Sequence, residues 1–118
     1  MDIRVRRKID PNRYLKEKVM SVYFIVRYEV DDPEAFEAYP PGVTPLLMKY
    51  GAELLVADFE AKVLEGQSGG TNVVLKFESE EAAMNFYNDP EYAPFKQLRL
   101  DTTSNGNIIL AKEFIPPS

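Results

Sequence analysis

The chain predicts an α+β domain of order β-α-β followed by β-α-β, on three observations. Runs of β-branched and aromatic residues alternate with helical patterns; Asp32-Pro33 and Ser79 start a helix directly after two of those runs; and both helical regions are long enough to cover one face of a single sheet. Such an order is ferredoxin-like, with an antiparallel sheet.

Val22 to Val30 (VYFIVRYEV) has a period-two pattern that puts Phe24, Val26, Tyr28 and Val30 on one face and Tyr23, Ile25, Arg27 and Glu29 on the other. Asp32 can accept a hydrogen bond from an orphaned first-turn N–H, and Pro33 has its φ already set for a helix. Phe36, Tyr39 or Pro40, Val43, Leu47 and Tyr50 then recur at helical spacing, and Gly51 supplies a left-handed cap. Pro40, Pro41 and Pro45 must divide this helix, which predicts a short piece to Tyr39 and a second from about Thr44. Glu53 to Phe59 and Lys62 to Glu65 read as a bent strand or a short pair, Gly66 to Gly70 as a loop, and Thr71 to Glu78 as the next strand. Ser79 caps a helix with Glu80 and Glu81 in its first turn, where the dipole favours them, and Ala82, Ala83, Phe86 and Tyr87 can face the sheet. Asn88-Asp89-Pro90 interrupts it before Tyr92, Phe95, Leu98 and Arg99 resume the pattern. Ser104-Asn105-Gly106 reads as a turn into a last strand, Asn107 to Phe114.

The outer sheet face combines Tyr23, Ile25 and Arg27 with Val74 and Lys76, neither fully polar nor fully apolar. Two such faces packed across a two-fold axis would bury the Ile and Val positions and pair charges at the rim, so the sequence predicts a homodimer.

Composition removes whole classes of chemistry. The 118 residues include no cysteine, histidine or tryptophan, which excludes disulfides, thiolate nucleophiles, zinc sites, iron facial triads and Ser-His-Asp triads within one chain. An all-carboxylate magnesium or calcium site stays open, but the residues name neither a metal site nor a cofactor. No apolar run approaches the roughly 20 residues that span a bilayer, and the first residues lack a secretory apolar stretch, so the reading is cytoplasmic with no membrane partner.

Residues 1–20 are set apart as a basic extension, with Asp10-Pro11 predicting a short helix to about Lys18, and the domain proper as residues 21–115. Met1 to Ser21 holds 7 basic and 3 acidic side chains, leaving 7 basic and 16 acidic elsewhere. The acidic body should repel nucleic acid. The basic arm could touch RNA, an anionic lipid or an acidic partner, or be a solvated helix or tail packed on its own acidic domain.

The run YFIVRYEVDDPEAFEAY, then KYGAELLVADFEAKVLEG and VVLKFESEEAAMNFYNDPEYAPFKQLR, with the closing strand, resembles the bacterial family known as domain of unknown function 1330. Its marks are Asp32-Pro33, Tyr39, Tyr50-Gly51, Leu64-Glu65-Gly66, Phe77, Tyr87, Pro90-Glu91-Tyr92 and Arg99; the Pro40-Pro41 pair and the basic extension depart from it. The resemblance covers about Ser21 to Phe114 and implies a dimeric α/β barrel with no established activity. The wider superfamily spans cofactor-independent monooxygenases, isomerases, haem proteins and modules that only bind small molecules, so fold alone selects no function.

A cleft between helices and sheet would be reached by Tyr39, Tyr50, Tyr87, Tyr92 and Arg99, with Asp58 or Glu65 from the second strand. Tyrosine offers an apolar wall with one polar handle, and Arg99 could anchor a carboxylate or enolate. These six, Asp58 included, are the candidate ligand-binding residues. The competing reading makes each tyrosine a core residue and pairs Arg99 with a carboxylate. Arg27, Glu29, Lys76 and Glu78 read as cross-strand ion pairs. Two functions follow: a small-molecule-binding domain, with cofactor-independent proton transfer or oxygenation on a planar or anionic molecule as its enzymatic form, or a non-enzymatic homodimeric module.

Overall fold

The computed structural model describes residues 20–67 and 69–117. The elements run β1 (Val22–Val30), α1 (Pro33–Phe36), α2 (Tyr39–Lys49), β2 (Glu53–Asp58), β3 (Thr71–Phe77), α3 (Glu80–Tyr87), α4 (Ala93–Thr102) and β4 (Thr103–Lys112). The four strands form one antiparallel sheet in the order β2-β3-β1-β4, the ferredoxin-like arrangement. The helix predicted over residues 10–18, and the whole basic extension to residue 19, lie outside the described residues.

Strand β1 sits at the centre because its alternation serves two surfaces. Val22, Phe24, Val26 and Tyr28 are buried on the helix side, where Phe77 and Leu75 oppose Val22 and Phe24 across the β3 ladder. Phe36, Val43, Leu46, Ala83, Phe86 and Tyr92 close this core from the helices. On the outer side, Val56, Val74, Ile25 and Ile109 are successive cross-strand partners and make one aliphatic row over all four strands. Ile25 and Ile109 are about half exposed, at 45% and 52%. A row of Glu53, Lys76, Tyr23 and Ala111 runs on one side of it, and a row of Asp58, Asn72, Arg27 and Asn107 on the other.

Three local expectations are corrected. The first helical region divides before its prolines, at Glu37 and Ala38, and not between Tyr39 and Thr44. Pro40 and Pro41 occupy the first turn of α2, where no intrahelical N–H is required. Pro45 is inside α2, and the Thr44 hydroxyl donates to the Pro40 carbonyl at 2.7 Å. In the second correction, strand β2 stops at Asp58 and residues 62–65 join no strand; the Ala61 N–H donates to the Gly70 carbonyl and closes the segment as a loop. Last, residues 104–106 form no separate turn. Helix α4 passes directly into β4, where Asn105 (φ 51°) accompanies a register shift against Arg27 and Glu29, a bulge inside the strand, and Phe114 lies beyond its end.

Candidate functional site

The α3–α4 break places the site. Asp89 Oδ1 accepts from the Glu91 N–H at 2.8 Å, which holds the chain in a turn at Pro90, while Oδ2 accepts from the Tyr50 hydroxyl at 2.6 Å and from Lys49 Nζ at 3.2 Å. These bonds clasp the C-terminal end of α2 to the break. The Tyr50 hydroxyl and then the Glu91 N–H hold the Asp89 carboxyl below the ordinary carboxylate range. Tyr50 is therefore committed to the clasp and is absent from the cleft wall.

From that turn Tyr92 points inward, 1% exposed, with its ring centroid 4.6 Å from that of Phe86. Its hydroxyl lies 2.9 Å from the hydroxyl of Tyr39, brought from the start of α2 and stacked on Phe36. Arg99, seven residues beyond Tyr92 and so on the same helix face, is 6% exposed and lies close enough to the Tyr92 and Tyr39 hydroxyls to interact electrostatically with both. Its Nε has no hydrogen-bond partner, and among the described residues no carboxylate pairs with it. Helix packing here is close, since a Cβ on Gly42 of α2 would overlap the Phe95 ring of α4.

In front of this cluster lies an apolar cleft of about 130 Å³ between helices and sheet, walled by Phe24, Val26, Val43, Leu47, Leu75 and Phe86 among others. Tyr28, Tyr39, Tyr87 and Tyr92 bring hydroxyl groups to it, and no charged side chain lines it. That volume is near the roughly 150 Å³ of an engineered cavity that accepts one benzene ring, and below the ~300 Å³ usual for a ligand pocket. An open hollow of about 590 Å³ adjoins it and shares Phe36, Pro40 and Phe59 as walls.

Burial pushes the Tyr28 hydroxyl up to about 12, against the opposing pull of Arg99. Burial, the Tyr92 charge and the Tyr92 hydrogen bond push Tyr39 further above the ordinary tyrosine range. Burial opposes the charge on Arg99, but Tyr92 and Tyr39 more than offset it. The hydroxyls of Tyr28 and Tyr39 are thus neutral donors and acceptors near neutral pH, not bases.

Of the six candidates, Tyr39, Tyr87 and Tyr92 line the cleft, and Arg99 lies near the Tyr39 and Tyr92 hydroxyls without lining it. Tyr50 belongs to the Asp89 clasp. Asp58 lies on the outer sheet face opposite Asn72, where its Oδ1 accepts from the Glu60 N–H. Tyr28 escaped notice as a site residue because its alternation on β1 reads as core; its place next to the helical tyrosines depends on the β1–α2 packing. Among the described residues there is no group of three or more acidic, histidine or cysteine side chains fit to hold a metal, and no helix long and apolar enough to cross a membrane.

Solved structures share this fold at low sequence identity. A protein of unknown function from Rhodopseudomonas palustris superposes with a TM-score of 0.71 at 13% identity, covering 92% of this chain and 97% of that one. A dimeric protein of unknown function with a ferredoxin-like fold, from Bacteroides fragilis, gives 0.56 at 11%, covering 79% and 96%. SnoaB, a cofactor-independent oxygenase from Streptomyces nogalater, gives 0.53 at 15%, covering 83% and 99%. No curated protein matches the sequence. The tyrosine–arginine cluster and all four strands fall within residues 21–114, the part of the chain that matches the domain of unknown function family DUF1330, and the protein belongs to that family.

Proposed function

We propose that the chain binds a planar small molecule bearing an anionic oxygen, its ring in the apolar cleft and its oxygen against the tyrosine hydroxyls. The observation that carries this reading is Arg99, a buried cation with an orphaned Nε and no carboxylate partner among the described residues. An unpaired buried charge is costly, so a fold that keeps one gains from an anion brought by a ligand. Proton transfer or oxygenation here would rest on stabilising that anion, because the wall holds hydroxyls and no carboxylate or amine base. The fold shared with a cofactor-independent oxygenase supports this form of the reading.

Titration calorimetry of the full chain with benzoate and 2-naphthoate tests it. Both should bind, and Val43→Phe, which fills the cleft with an aromatic ring, should weaken both at least tenfold while the protein still melts cooperatively. Unchanged affinity in Val43→Phe would place the ligand elsewhere; no binding of either acid to the wild type would end the proposal.

The outer sheet face favours a second element of function, a homodimer in which two copies pack sheet to sheet. The Val56-Val74-Ile25-Ile109 row is flanked by rows holding Glu53 with Lys76 and Asp58 with Arg27, an arrangement that can complement itself across a two-fold axis. Ile25→Asp buries a charge at the centre of that interface and should yield a monomer by light scattering, from a wild type that runs as a dimer. A monomeric wild type at the same concentration would overturn the homodimer. The acidic body and the absence of cysteine suit a cytoplasmic protein that does not bind nucleic acid.

A further inference from the structure

We infer that the tyrosine–arginine cluster selects the ionised form of a weakly acidic phenol or enol, holding its oxyanion and lowering the pH at which it ionises. The inference rests on the reading above that the cleft receives an anionic oxygen, and it names the chemical class.

It follows from a count of donors. Arginine only donates, so Arg99, close to the Tyr39 and Tyr92 hydroxyls, adds hydrogens and no acceptor to the set. One of those two hydroxyls donates to the other across 2.9 Å, which leaves one O–H with no acceptor among the described residues. Tyr28 lines the same cleft, is 3% exposed, and makes no hydrogen bond to the described residues. One hydrogen of the Tyr39–Tyr92 pair and that of Tyr28 therefore have no acceptor among the described residues at the cleft, and the orphaned Arg99 Nε–H is buried nearby, outside the cleft wall. Buried polar groups are rarely left so, and a molecule that supplies an oxygen acceptor completes the set.

No acidic side chain lines the cleft. Tyr28 comes from β1, Tyr39 and Thr44 from α2, Tyr87 from α3 and Tyr92 from the start of α4, while β2, β3 and β4 contribute apolar side chains. Arg99 behind the hydroxyls and Lys96, 4.0 Å from the centroid of the Tyr87 ring, are positive, while Glu29 and Glu37 are negative and line the adjoining open hollow but not the cleft. An anion there meets donors backed by a cation in an apolar setting, where such interactions are stronger than in water. The phenol is the opposite case, since its own O–H adds one more donor where acceptors are short. Burial keeps Tyr28 and Tyr39 protonated, so the cluster retains its hydrogens for the ligand. In the step itself the ligand O–H bond breaks heterolytically: the electron pair stays on oxygen, the proton passes to solvent, and nothing is oxidised or reduced.

The probe is 4-nitrophenol, whose phenolate is read by its visible absorbance, bound to the full-length protein across a pH series. The bound form should be half ionised about one pH unit or more below the free compound, which corresponds to about tenfold or greater preference for the phenolate. Tyr39→Phe/Tyr92→Phe keeps both rings and should abolish most of that shift while 4-nitrophenol still binds. A bound probe that ionises at the same pH as the free one, or higher, overturns the inference. A shift that survives in the double variant also overturns it, because the hydroxyls would not be its source. Benzoate, ionised throughout the series, separates the two readings: if it binds and 4-nitrophenol is not acidified, only this inference falls; if neither probe binds, both fall.

Discussion

Arg99→Met is expected to leave the protein more stable than the wild type by about 1–2 kcal/mol while weakening 2-naphthoate binding at least tenfold. A buried cation without a carboxylate costs desolvation energy that two nearby neutral hydroxyls only partly return, and replacing buried ionic groups by apolar residues of similar size often stabilises by about 1–4 kcal/mol. Methionine matches the length and flexibility needed to fill the space behind Tyr39 and Tyr92. Those two hydroxyls still bond to one another across 2.9 Å, so neither loses its last partner. The ligand, by contrast, loses the positive charge behind the hydroxyls that meet its oxygen. Urea melts and calorimetry together decide the matter, because an arginine kept for stability gives the reverse pattern, with Arg99→Met unfolding more easily by several kcal/mol. Arg99→Lys should fall between, retaining charge but not the planar fork of donors.

Sequence made the helix starts plain because capping is local: Asp32 accepts from the Ala35 N–H and Ser79 from the Ala82 N–H, each three residues on. The same locality exposed Gly51, whose φ of 69° ends α2. The order of strands, the buried face of β1 and the convergence of Tyr39, Tyr87, Tyr92 and Arg99 likewise followed from spacing and from the family resemblance. Asp58 shows where such reasoning stops. Counting alternately from Leu54, which faces the helices, would turn Asp58 inward as well, but the register shift between Leu54 and Val56 inserts Leu55 as an extra residue. A one-residue slip exchanges the faces of everything after it, so Ala57 lines the cleft and Asp58 faces out. Tyr50 eluded the reading for a different reason. Its hydroxyl is claimed by Asp89, 39 residues away, and no local pattern reports a contact of that range. Arg99's lack of a carboxylate is of the same kind, since it depends on what three separate helices fail to bring near.

The largest loss of stability is expected for Phe86→Ala, about 3–5 kcal/mol, because this ring joins the core to the site. It is 3% exposed and lies within 6.4 Å, centroid to centroid, of Phe24, Phe77, Tyr50 and Tyr92. Removing it forfeits the transfer energy of a buried aromatic side chain, the extra attraction of its ring pairs, and the packing lost to the void it leaves. Collapse cannot heal that void easily, since one side is already open: Phe86 is itself a wall of the 130 Å³ cleft, and the new space joins the old. For a domain of about 100 residues the cost corresponds to a melting temperature lower by roughly 15–30 °C. Phe86→Leu keeps most of the volume and should lose less than half as much. The enlarged cleft also has a consequence for binding. In Phe86→Ala the naphthalene ring of 2-naphthoate gains room beside Tyr92, so saturating ligand should raise the melting temperature of the variant by more than it raises that of the wild type. Equal shifts in the two proteins would mean that the ring does not sit against Phe86, and a loss under about 1 kcal/mol would mean that the aromatic cluster is not the centre of the core.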